Sequence, residues 1–200
     1  AVHLSLPVDI MFSSFAEDAG RHERPFDISP PAPARAWPEP QRLGYILSKL
    51  NAARKPVLIG GHGVWWSKSE ALLEQAGRKC GIPVFNIPYH QKLLGEECEA
   101  YMGLADIHQY HPSADAFHDS DLVLMVGARL DNQMNFGNPP LFPDTTELIC
   151  INGSHEEIEF NRAADYSLLS DPGVFLQALI DHADNPDFIL DRQWYELNRE

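Results

Sequence analysis

Four residues at the end of a short apolar run, Gly60-Gly61-His62-Gly63, have the types and spacing to meet a phosphate. They follow Pro56-Val57-Leu58-Ile59 and precede a helical stretch from Ser67. Glycine lets backbone amides approach a ligand, and in open parallel sheets the carboxyl end of a strand is where phosphates and riboses bind. A tight strand-to-helix turn needs glycine for packing just as well, so the residues alone leave the two uses level. The turn lacks the full G-x-G-x-x-G fingerprint, and no acidic residue ends the strand that follows. His62 is the one histidine placed to touch such a ligand.

A second turn, Gly127-Ala128-Arg129-Leu130-Asp131, ends another apolar run. Arg129 there can pair with a diphosphate, and Asp131 can orient the arginine or accept from a sugar hydroxyl. A surface ion pair is the plainer alternative. Ile151-Asn152-Gly153 ends a third run, where ribose-binding folds place an acid. Asn152 keeps the hydrogen-bonding capacity without the charge, and a turn-forming Asn-Gly pair accounts for it more simply. No G-x-S-x-G, P-loop or well-placed carboxylate pair occurs, so no catalytic residue is assigned. Among nine histidines only His108 and His111 are close, without a helix-borne glutamate, and no metal site is expected. Trp65-Trp66 can stack on a base, but packing against a neighbouring domain is the weightier use.

The elements that must position these residues follow from periodicity. Leu43, Ile46, Leu47 and Leu50 predict an amphipathic helix over 41–54. Strands are expected at 56–60, 83–87, 121–127, 148–151 and 166–169. Ser67 and Glu70 read as a capping box for a helix ending at Cys80, with Gly81 closing it. Short helices are expected at 112–118 and 156–162, and loops at 88–106 and 128–146. Asp171 caps a helix with Pro172 at its first position, running to about His182, and 187–200 begin another. Strands alternating with helices predict an α/β fold: a doubly wound, mostly parallel Rossmann-like sheet with helices on both faces.

The net charge of −14 argues against nucleic acid and against a polybasic membrane patch. No apolar run reaches the ~20 residues of a membrane span. Cys80, Cys98 and Cys150 are odd in number and widely spaced, which fits a reducing, cytoplasmic setting. Residues 2–8 alternate as a strand, and 9–16 read as a turn or brief helix. Pro25, Pro30, Pro31, Pro33, Pro38 and Pro40 make 17–40 an extended linker. A chain that opens inside a strand is expected to be a fragment of a longer protein.

The order of these segments resembles the central domain of thiamine-diphosphate-dependent enzymes such as acetolactate synthase, benzaldehyde lyase, oxalyl-CoA decarboxylase and pyruvate oxidase. The residues from Val2 to Ile10 look like the last strand of a preceding pyrimidine-binding domain. Lys55 to Val64 resemble the first strand and turn of the central domain, Gly81-Ile82-Pro83-Val84 the next strand, and Tyr101-Met102-Gly103 the segment after it. Asp121 to Asp131 is the most specific match. The resemblance implies a division into 1–16, the tail of the preceding domain; 17–40, the linker; 41–185, the central domain; and 186–200, the start of a linker to a further domain.

It implies further that the chain is non-catalytic and works beside flanking catalytic domains of the same polypeptide, in a homodimer or homotetramer. Thiamine diphosphate and magnesium would sit on those flanking domains, and the whole enzyme would be a lyase or transferase acting on 2-oxo acids or related carbonyls. Some relatives bind FAD in this domain, some ADP, some neither. The matching positions are Gly60, Gly61, Gly103, Gly127, Ala128, Arg129 and Asp131, with His62, Asn152 and Asp171 alongside. His62 stands where a small residue is usual, Gln133 where a second arginine is, Asn152 for an acid and Ser170 for a glycine. These departures remove charge partners, and the three ligand states stay open. The competing reading is a freestanding NAD- or FAD-binding module. A sirtuin-like version of it would need a cysteine pair for zinc, and the chain has none.

Overall fold

The computed structural model describes residues 3, 5–14, 34–88, 93–106, 112–158, 160–185, 188 and 192–198. The chain forms two compact units, Ala1–Pro33 and Ala34–Glu200. In the first, Val8–Met11 is a short helix, α1, led in by Pro7. The strand expected over 2–8 is not there: residues 3 and 5–7 are unpaired coil and Val8 is helical, while 2 and 4 lie outside the described residues. Pro7 O instead accepts from the amides of Ile10 and Met11, so the carbonyl is satisfied locally rather than across a ladder. Most of the expected linker, 17–33, also lies outside the described residues.

The second unit carries the fold. Its elements are α2 (Pro40–Ala52), β1 (Pro56–Gly60), α3 (His62–Trp66), α4 (Glu70–Cys80), β2 (Val84–Asn86), β3 (Tyr101–Leu104), α5 (Pro112–Asp119), β4 (Leu122–Val126), β5 (Glu147–Asn152), β6 (Tyr166–Leu169), α6 (Pro172–Ala183) and α7 (Arg192–Leu197). Among the described residues six strands form one sheet, in the order β3-β2-β1-β4-β5-β6, and each neighbouring pair is parallel. The chain winds outward from β1 to β3, then returns to β4 and winds the other way. The carboxyl ends of β1 and β4 therefore flank the point where the winding reverses.

β1 and β4 are buried at every position because helices cover both faces. On one face Leu58, Leu124, Val126 and Ile151 meet Ile46, Leu50, Leu73, Phe175 and Leu179. On the other Val57, Ile59, Val123, Met125 and Cys150 meet Phe117, Met134, Phe142 and Trp194. Helix α7 reaches both: Trp194 packs in the second cluster and Tyr195 in the first. The Trp194 indole donates to Pro56 O at 3.0 Å, and the Tyr195 hydroxyl to Glu99 O at 3.1 Å.

Several expectations shift for local reasons. The helix expected from Ser67 begins at Glu70, because Lys68 takes a left-handed φ of 53° and separates α3 from α4. Ser67 does not cap α4 but ends α3; its hydroxyl donates to Val64 O and contacts the Ser69 hydroxyl. Within the expected loop 88–106 lies β3, whose pattern is hidden by Gly103 at φ 123° and by half-exposed side chains. The helix expected over 156–162 is a 3-10 turn at His155–Glu157, ended before Asn161 turns left-handed at φ 73°. The loop 128–146 contains a 3-10 turn, Asn132–Gly137. Gly81 closes α4 at φ 64°, and Asp171 caps α6 by accepting from the Val174 amide at 3.1 Å, both as expected.

Two outcomes follow from this packing. Trp194→Ala should cost about 3–5 kcal/mol in denaturant unfolding, against about 1–2 kcal/mol for Asp171→Ala, which removes a cap and a half-exposed ion pair. Equal costs would mean that α7 is not part of the core. Burial pushes the Cys80 thiol up to about 12 and also raises Cys98, and all three cysteines are buried. The native protein should therefore resist a thiol reagent at mildly alkaline pH and react fully once unfolded. Rapid native labelling of Cys80 would contradict the packing of α4.

Candidate functional site

The two glycine turns meet where the winding reverses. The Gly61 amide donates to Val126 O at 3.0 Å, and the Gly63 amide to Gly127 O at 2.8 Å. The Val64 amide donates to Gly61 O at 3.0 Å, and the Gly127 amide to Ile151 O at 2.8 Å. A side chain at Gly61 would overlap Gly127 O and Ala128 Cα. One at Gly63 would come within 2.7 Å of Gly127 Cα, and Gly127 itself sits at φ 59°. These glycines let one backbone lie directly on another. At Gly60 the corresponding space holds the Leu73 and Leu93 side chains. His62 is the first residue of α3 and partly buried.

Beyond β4, Ala128 is buried and Arg129 is half exposed. The Arg129 guanidinium pairs with Glu157 at 3.5 Å and lies over the Phe160 ring at 5.4 Å. Asp131 is not its partner; the Asp131 carboxylate accepts from the Gln133 amide at 3.0 Å and starts the 3-10 turn. Asn152 is buried at the end of β5. Its Nδ2 donates to Ala128 O at 3.4 Å, and its Oδ1 accepts from the Ser154 amide at 3.2 Å. The asparagine thus ties the ends of β4 and β5 together while forming its own turn. Gly103 lies in β3 at the sheet edge, two strands from β1, with open space where a side chain would go. Asp171 caps α6 and pairs with Arg35 at 3.5 Å. Ser170 is fully buried beside it.

The structure therefore gathers Gly61, Gly127, Ala128 and Asn152 at one junction, with Gly60 and His62 adjoining. Arg129 and Asp131 diverge from it, and Gly103 stands apart. Trp65 packs against the core, while Trp66 is 74% exposed. His108 and His111 lie outside the described residues. Among the described residues no three His, Cys, Asp or Glu side chains are placed to hold a metal ion. No helix among them is long and apolar enough to cross a membrane. Sequence reasoning missed Arg35, Glu157 and Phe160. Arg35 and Glu157 meet partners 136 and 28 positions away (171 − 35 and 157 − 129), and no local pattern encodes such pairs. Asn86 was also missed; it ends β2 beside Gly60 and donates to Leu94 O at 3.0 Å.

Comparison with known proteins agrees with this architecture. Residues 43–179 match the family model described as the thiamine pyrophosphate enzyme, central domain. The chain is 26% identical over 155 residues to 2-hydroxyacyl-CoA lyase 1 of Mus musculus, covering 76% of this chain and 26% of that protein. It is 27% identical over 132 residues to an acetolactate synthase of Mycobacterium avium, covering 66% of this chain and 21% of that one. Among solved structures it is similar to one described as a thiamin diphosphate-dependent enzyme from Mycobacterium smegmatis, with a TM-score of 0.66 and 25% identity. That match covers 78% of this chain and 30% of the other. The chain thus spans between a fifth and a third of the length of these relatives. With residues 43–179 matched, and six parallel strands among the described residues, the chain belongs to the family of thiamine pyrophosphate enzyme central domains.

Proposed function

We propose that this chain is the non-catalytic middle of a larger thiamine-diphosphate-dependent enzyme that makes or breaks a carbon–carbon bond beside a carbonyl. The names of the relatives point to a 2-oxo acid or a 2-hydroxyacyl thioester as substrate. In this reading thiamine diphosphate, with magnesium, is held by flanking domains, where it supplies carbanion stabilisation. The present domain holds those catalytic domains at a fixed separation within a homodimer or homotetramer.

One observation carries the structural role. The amides of Gly61, Gly63 and Val64, which would face a phosphate in a nucleotide site, donate to carbonyls at and just beyond the end of β4 and within the turn itself. The turn and the strand end are one joint. The neighbouring polar groups weigh the same way. Asn152 is engaged at both ends of its amide, Asp171 is engaged with Val174 and Arg35, and Arg129 with Glu157. These engagements favour a structural use of the turns over a diphosphate seated between them, and no step is assigned to FAD or ADP. The freestanding-module reading gains no support from the same geometry.

The isolated 200-residue chain, given thiamine diphosphate, magnesium and pyruvate, should form neither carbon dioxide nor acetolactate. Measurable turnover would overturn the non-catalytic assignment. Gly61→Ala should destabilise the domain by about 1–3 kcal/mol through overpacking, since the methyl meets backbone that cannot rotate away. A neutral effect in a chemical melt would show that the joint is loose enough to admit a ligand.

A further inference from the structure

We propose that residues 34–37 form a releasable strap across the end of α3 and the start of α6, and that Arg35 is its latch. Two kinds of contact hold it. The Ala36 carbonyl accepts from the Asp171 amide at 2.8 Å and from the Ser170 hydroxyl at 3.4 Å. The Arg35 guanidinium donates through Nη2 to Ser67 O at 3.2 Å and pairs through Nη1 with Asp171 Oδ1 at 3.5 Å. One side chain therefore joins three segments that are distant in sequence.

The surroundings are shaped for that guanidinium. A side chain at Gly173 would stand 3.2 Å from Arg35 Nη1 and 3.1 Å from Ser69 Cβ, so the bare first turn of α6 gives the arginine its room. Asp171 does double duty: its Oδ1 caps the Val174 amide and faces Arg35. A carboxylate suits a helix N-terminus, and the arginine pairs with it on the outer side. Pro38 biases Trp37 toward extended backbone, which pre-shapes the strap. The strap lies before the first residue matched by the family model, while its partners Ser67, Ser170 and Asp171 lie within the matched residues.

The latch is weak by construction. The Arg35 side chain is 49% exposed, and ion pairs at such sites contribute little because water and salt screen them. The strap is therefore a segment that opens without unfolding the sheet.

Trypsin reads this directly, because the bond after Arg35 is a tryptic site and its carbonyl neighbour Ala36 is docked. The variant Asp171→Asn keeps the helix cap, since asparagine caps as well as aspartate, but removes the charge. Cleavage after Arg35 in the whole chain should rise about two- to fivefold in this variant, because cutting tracks the open population and a half-exposed ion pair contributes only about 0.5–1 kcal/mol. Exchange of the residue-171 amide should accelerate in parallel, while the β4 amides stay protected. Ser170→Ala should give a smaller rise of the same kind. Unchanged cleavage and exchange in Asp171→Asn would overturn the latch. If that variant does not fold, the wild type decides alone. A residue-171 amide exchanging no slower than an exposed one would show that the strap is not closed. An amide protected at low salt and released at high salt, with β4 unchanged, would support it.

Discussion

The fold turns on a contact with no side chain in it. Gly61 and Gly63 rest on Gly127, and their amides donate to the end of β4 and to the turn beyond it. That contact sets how closely the first winding of the sheet approaches the second. It also places α3 against the start of α6, where Pro172 fills the space beside Gly63. In a doubly wound sheet this is the position that a bound nucleotide would wedge apart. Here the Gly61 and Gly63 amides donate to Val126 O and Gly127 O across it.

The remaining structure closes around that joint. Alternating side chains of β1, β4 and β5 feed two apolar clusters, one under α2, α4 and α6 and one under α5 and the loop after β4. At the opposite end of β1, Trp194 and Tyr195 of α7 enter the two clusters from adjacent positions and hydrogen-bond to backbone carbonyls. At the carboxyl end, the strap carrying Arg35 ties α3 to α6. Among the described residues, backbone and side-chain contacts thus bind both ends of β1.

Much of this was legible in the sequence because it is local. Continuous apolar runs mark β1, β4 and β5, since strands covered on both faces need no polar alternation. Asp171-Pro172 and Gly81 mark helix ends, because capping chemistry is set by neighbours in the chain. β3 was not legible, for Gly103 and half-exposed positions erase its pattern. The α3–α4 boundary escaped because it depends on Lys68 adopting a left-handed conformation that its type does not announce. At the candidate site the glycines could be read but not their use, since cradle and packing demand the same residue. The partners of Arg129 and Asp171 come from elsewhere in the chain, so only the folded arrangement shows that both are engaged.

The central claim is that the junction of the two glycine turns is a structural joint and not a nucleotide site. Calorimetric titration of FAD and of ADP into the purified chain tests it most directly. The account predicts no saturable heat with either nucleotide. Saturable binding of either nucleotide would contradict it.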